Sequence, residues 1–293
     1  MTTDKRNRKV FFLFCCLAVL LSGAAFPGCG KAASVKSLPK KSWNGEIELP
    51  GAVTMKMVKV EAGTFEMSAA DGENYRNEVA HQVTLKHDFY IGRTEVTQAQ
   101  WEAVMGDNPS EFKGAELPVE NMSWNDAMEF CEKLNSTGRA PDGWKFTLPT
   151  ETQWEYAARG GKHTKGYKYS GSDDIDEVAW YMENPPSGFG GLSFVKKPTH
   201  QVGQKKANEL GLYDMSGNVW EWCLDDYQDG GDSGKLTAEF ARGNDRNGPN
   251  RAIRGGSSSY RAYGCRVSCR GDFAPDRTDA DQGVRVVLVP ESL

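Results

Sequence analysis

Hydrophobic and polar positions change period several times along this chain. Val10 to Leu21 (VFFLFCCLAVLL) is an uninterrupted apolar run of 12 residues behind Lys5, Arg6, Arg8 and Lys9. A bilayer span takes about 20 apolar residues, and the basic-then-apolar order is that of an export signal. Met57 to Met67 (MVKVEAGTFEM) alternates apolar and polar around a glycine turn, and Val83 to Ile91 (VTLKHDFYI) alternates again. Both patterns predict strands. Helical signals follow. Thr97 caps Gln98 to Met105, and Gly106 ends it. Ser123 precedes a stretch in which Ala127, Phe130, Cys131 and Leu134 share one face, with Asp126 in the first turn where a carboxylate suits the helix dipole. Thr150 with Gln153 has capping-box spacing and opens Glu151 to Arg159, stopped by Gly160. Beyond Gly161 the helical period disappears, and Gly, Ser, Asp and Pro punctuate short apolar runs up to Leu210. Two strands, Arg251 to Gly255 and Gly283 to Val289, close the chain. The pattern predicts one mixed α/β domain with three short helices and little regular structure. Its expected core includes Trp101, Trp124, Phe130, Trp154, Trp220 and Trp222.

Composition narrows the function classes. A net charge of −5 over 293 residues, with no basic stripe, argues against nucleic acid. Lys196-Lys197 and Lys205-Lys206 are short enough to be solvated loop charges. After the apolar run come small residues and then Cys29 (SGAAFPGCG), the layout of a lipoprotein cleavage site. Phe26 and Pro27 stand where Leu and a small residue are usual, so an ordinary signal peptide cut nearby is the alternative. The organisation read from this is a signal peptide over 1–28, a Lys- and Pro-containing tether over 29–46, and a folded domain over 47–293. The protein is then exported and held to the membrane of the cell envelope through lipid on Cys29, facing the periplasm or the surface. Of seven cysteines, Cys15 and Cys16 leave with the signal and Cys29 takes lipid. Cys131, Cys223, Cys265 and Cys269 remain, an even count that permits disulfides without saying which.

Five blocks occur in a distinctive order: LPVENMSWNDAMEFCEKLN, FTLPTETQWEYAARGG, GLYDMSGNVWEWCLDDY, RAIRGGSSS, and RGDFAPD followed by QGVRVV. Together they resemble the formylglycine-generating enzyme, or sulfatase-modifying factor, family, from about Met57 to Val289. The resemblance implies a mixed α/β, C-type-lectin-like fold of low regular secondary structure. Enzymes of that family oxidise a sulfatase cysteine to formylglycine with copper and oxygen, using two thiolates a few residues beyond the G-G-S block. Counted back from Pro275-Asp276, those positions fall near Ala262 and within Ser258 to Tyr260, and neither holds Cys. Cys265 and Cys269 lie nearby, four apart, and are the remaining candidates for a copper pair. Small buried residues or disulfide partners are the plainer readings of both.

The resemblance also implies a structural calcium ion at D-M-S-G-N-V-W-E, held by Asp214, the carbonyls of Gly217 and Val219, and Glu221. Hard oxygen donors of this kind suit Ca²⁺. A structural turn, with Glu221 in a buried hydrogen bond, is the alternative. Asn184 and Asn208 are loose candidates for a second cation. His81, His87, His163 and His200 show no metal-ligand spacing.

Two function classes follow. One is a formylglycine-generating oxidase, with copper as cofactor. The other is a calcium-stabilised binding or scaffold module whose C-terminal loops present Tyr260, Arg261, Tyr263, Asp272 and Phe273 to a protein or glycan ligand. Aromatic and Arg side chains are good anchors. The missing thiols favour the second, and some lipoproteins of this fold are retroelement-diversified receptors.

Overall fold

Three capping signals in the sequence become three helix starts. A computed structural model describes residues 43–68, 78–185, 197–227 and 249–293. The export signal and Cys29 lie outside the described residues. The Thr97 hydroxyl accepts from the Gln100 amide at 3.2 Å, and the Gln100 side chain accepts from the Thr97 N–H at 3.0 Å. This reciprocal bond opens α1 (Gln98–Met105). Ser123 with Asp126, and Thr150 with Gln153, repeat it at α2 (Trp124–Ser136) and α3 (Glu151–Ala158). Each cap satisfies helix-end donors and is worth about 1 kcal/mol. Among the described residues beyond 165, the one α-helix is a single turn, α4 (Ile175–Val178).

The strands are short: β1 (Glu46–Glu48), β2 (Thr54–Val60), β3 (Gly63–Met67), β4 (His81–Leu85), β5 (Phe89–Gly92), β6 (Trp144–Thr147), β7 (Trp220–Asp226), β8 (Arg251–Arg254), β9 (Arg270–Phe273), β10 (Gln282–Gly283) and β11 (Val287–Pro290). They form a sheet of order β1-β2-β5-β11-β6, a second of order β10-β7-β8-β9, and the separate pair β3-β4. All pairings are antiparallel except β10 with β7. The alternating stretches are therefore corrected. Met57 to Met67 is two strands in different sheets, Val83 to Ile91 splits likewise, and Gly283 to Val289 is interrupted where Arg285 turns inward. The folded domain includes residues before 47: Trp43 packs edge-on against Tyr90 at 4.5 Å, and Glu46 pairs with Lys56.

The six expected aromatic core residues are all buried, Trp220 the most exposed at 4%. Trp101 stacks on Phe130 (5.0 Å, 4°), locking α1 to α2. Trp124 donates to the Cys223 carbonyl at 2.9 Å, tying α2 to β7. Large aromatics in packed sites typically cost about 3–5 kcal/mol to truncate. The four described cysteines are free and buried, so the disulfides that an even count permits are not formed.

The polar residues of α3 were not legible as core. Every residue from Glu151 to Ala158 is buried. Glu151 meets Arg270 through two bonds (2.6 and 2.7 Å), and Glu155 meets Arg159 at 2.8 Å and Arg254. Arg254 also donates to the carbonyls of Val267, Ser268 and Cys269. An arginine–carboxylate lattice thus pins the C-terminal loop to α3.

Candidate binding cleft and cation site

The R-G-G-S block shapes the loop that carries the candidate site. Gly256 has φ 75°, and a Cβ there would lie 2.7 Å from the Cys265 sulfur. Only glycine permits both the left-handed backbone and that approach. The chain then runs through Ser258, whose hydroxyl donates to the Lys197 carbonyl at 3.1 Å, into a 3-10 turn at Ala262–Cys265.

A cleft of about 420 Å³ opens between this loop and β9. Tyr260, Tyr263, Asp272 and Phe273, all expected at the binding surface, line it. Arg261 is exposed but does not line it. Tyr260 packs edge-on against Trp220 (5.1 Å) and Tyr263 (5.9 Å), and burial followed by the neighbouring Tyr263 pushes its phenol up to about 12. Trp220, read from sequence as core alone, also forms a cleft wall, as do Glu78, Arg266 and Arg270. Arg266 is forked onto Glu78 (2.7 and 2.9 Å) and Arg270 onto Glu151. The positive charges of the floor are thereby neutralised from below. Glu78 is 188 residues from Arg266 in the chain, so no spacing signal marks the pair.

The two candidate thiols face different surroundings. Cys265 is fully buried in a small cluster with Tyr169, Val178, Ala179 and Tyr181. Cys269 packs with the main core and borders the cleft, 8% exposed. Burial pushes the Cys265 thiol well above its ordinary range and the Cys269 thiol up to about 11. Without metal both thiols stay protonated near neutrality, so a soft metal would have to displace two buried protons to bind there.

The residues of the cation motif are tightly packed. Gly217 (φ 83°) passes so close to Trp180 that a Cβ would sit 2.2 Å from its carbonyl oxygen, and Val219 is buried. Glu221 is fully engaged: Arg285 reaches both its oxygens (2.7–3.0 Å), and Trp154 donates to one at 2.7 Å. Asp214, in the left-handed region (φ 57°), accepts from the Gly203 N–H at 2.6 Å through one oxygen, and its other is buried without a partner. Glu95 is in the same position. One oxygen accepts from Asn218 at 3.3 Å and the other is buried and unpartnered. Burial, with Asp214 as the next cause, pushes Glu95 well above the carboxylate range, and burial pushes Asp214 up to about 6. Two orphaned carboxyl oxygens in one buried region fit a hard cation completed by backbone carbonyls. Among the described residues, no three His, Cys, Asp or Glu side chains converge as a metal site by themselves. Glu95 was missed in the sequence because it lies 119 positions before Asp214, inside R-T-E-V-T. Asn184 and Asn208 spend their side chains on turns. Asn184 bonds Tyr181 and Ala179, and Asn208 bonds Ala157, Leu210 and Leu212.

Comparison with known proteins agrees with this architecture. Residues 48–289 match the family described as "Sulfatase-modifying factor enzyme 1-like domain". The "Chaperone protein LppX" of Paenibacillus barcinonensis is 38% identical over 271 residues, covering 80% of this chain and 90% of that protein. The bovine "Inactive C-alpha-formylglycine-generating enzyme 2" is 30% identical over 183 residues, 60% of this chain and 55% of that one. Among solved structures, the "Treponema denticola variable protein 1" superposes with TM-score 0.68 at 31% identity, covering 82% of this chain and 97% of that one.

Proposed function

Because the chain belongs to the sulfatase-modifying factor family, we propose that it serves as a binding module of the cell envelope rather than as an oxidase. The observation that carries this reading is the cleft itself. It is ringed by Tyr260, Tyr263 and Phe273, while the positions that the family resemblance gives to the thiol pair hold Ala262 and a residue among Ser258 to Tyr260. Oxidation of a substrate cysteine needs two thiolates on one soft metal. Ala262 offers no donor atom, and the Ser258 hydroxyl is already engaged. The chaperone name of the Paenibacillus relative, nearly all of whose length is matched, favours a protein as the ligand. The test is mass spectrometry of a sulfatase-motif peptide incubated with protein, copper and oxygen. No thiol-to-aldehyde mass loss is expected. A loss abolished by Cys265→Ser or Cys269→Ser would reinstate the oxidase.

Two supporting assignments belong to this reading. Cys29 carries lipid and the residues between it and Trp43 tether the domain to the membrane; fatty-acid labelling that survives Cys29→Ser would refute it. Calcium stabilises the domain, held by Asp214 and Glu95 with the carbonyls of Gly217 and Val219. Glu221 acts one step back, fixing Arg285 beside the two acids. Bound Ca²⁺ would let both acids ionise inside the fold by supplying the opposite charge that burial denies them.

A further inference from the structure

The cleft combines π faces with one carboxylate that has no ion-pair partner among the described residues. Asp272 accepts a hydrogen bond from the Asn250 amide, and among the described residues no ion pair reaches it. Arg266 and Arg270 below are already forked onto glutamates, so the cleft has no evident use for an anion. Tyr263 is 48% exposed and Tyr260 38%, large values for aromatic side chains beside a concave surface. The same wall shows which group such rings accept. The Arg277 guanidinium lies over the Phe273 ring at 4.6 Å, and Arg270 over Tyr227 at 4.9 Å.

Resting on the binding reading above, we propose that this cleft captures an arginine side chain of a protein partner. The guanidinium lies against Tyr260 and Tyr263, and Asp272 accepts its N–H groups. A planar cation that stacks and forks is the chemistry these residues complement; a lysine ammonium satisfies the charge but not the stacking. Charge complementarity selects the ligand, since a neutral ring would use the tyrosines and leave Asp272 uncompensated.

The test is isothermal titration of the full chain with acetyl-Gly-Gly-Arg-Gly-Gly-amide and with the same peptide bearing citrulline, which keeps shape and removes charge. The arginine peptide is expected to bind at least about tenfold more tightly, a difference of about 1.4 kcal/mol. Asp272→Asn should erase that difference with an unchanged melting temperature, and Tyr263→Ala should weaken both peptides. Rising salt should weaken the arginine peptide selectively. Equal binding of the two peptides, or binding of a monosaccharide in their place, overturns the guanidinium assignment and leaves the binding reading standing. Turnover in the cysteine-oxidation assay removes both.

Discussion

Two buried acidic regions of this domain are built to opposite rules. Around α3, Glu151 and Glu155 face Arg270, Arg254 and Arg159, and the arginines hold the Glu151 carboxyl below its usual range against the cost of burial. Around the D-M-S-G-N-V-W-E loop, Glu95, Asp214 and Glu221 share Arg285, which is committed to Glu221. Glu95 and Asp214 are left with orphaned oxygens and raised pKa values. A buried charge with a partner is structure, whereas a buried charge without one asks for a ligand. The first region fastens the cleft loop to the core, and the second is where the calcium ion is proposed.

The largest effect should come from breaking the satisfied region. Arg254→Met removes a fully buried guanidinium that reaches Glu155 and three loop carbonyls. Deleting one partner of a buried pair typically costs about 3–5 kcal/mol. For a domain this size that is a drop of on the order of 10 °C in melting temperature, at about 2–4 °C per kcal/mol. A fall of under about 2 °C would mean that the lattice does not hold the loop.

The next effect separates the two regions directly. At calcium a hundredfold above its dissociation constant, a site specific to the folded state adds about 2.7 kcal/mol. Glu95→Gln should lose most of that gain while leaving the chelator-treated protein about as stable as before, because burial already keeps the metal-free Glu95 uncharged. Glu221→Gln should instead lower stability with calcium and with chelator alike, since it strands the buried Arg285. Thermal scans of both variants with and without calcium decide it. Full calcium stabilisation in Glu95→Gln would sink the assignment.

This second comparison shows where sequence reading ends. The caps at Thr97, Ser123 and Thr150 and the buried tryptophans were legible because each signal is local, within four residues or one helical face. The strand Trp220–Asp226 went unread because both its faces are buried, and a strand buried on both faces loses its alternation. That Tyr260, Tyr263, Asp272 and Phe273 share one cleft was foreseeable because they cluster in a short C-terminal stretch. Glu95 beside Asp214, and Glu78 beneath Arg266, were not, because the fold joins them across more than a hundred residues. The resemblance implies Glu221 as a cation ligand, and no spacing within the motif foretells that Arg285 reaches the same carboxylate.

The smallest effect sharpens the comparison inside the satisfied region, at Asp225. One of its oxygens accepts from the Glu151 N–H at 2.7 Å, while the other is buried and unpartnered. Burial, then the neighbouring Glu151 charge, pushes it up to about 8. An acid raised in the fold stays protonated while its unfolded counterpart, near pH 4, has ionised. Its contribution is therefore lost as pH rises from about 4 to about 8, at no more than about 1.4 kcal/mol per pH unit. Glu120, pushed up to about 7 by burial, adds a slope of the same sign below neutrality. Saturating calcium keeps Glu95 and Asp214 out of the measurement. Under that condition the melting temperature should fall between pH 6 and pH 7, and Asp225→Asn should flatten the fall by a few degrees. An equally steep slope in Asp225→Asn would show that the Arg270–Glu151 lattice already compensates Asp225.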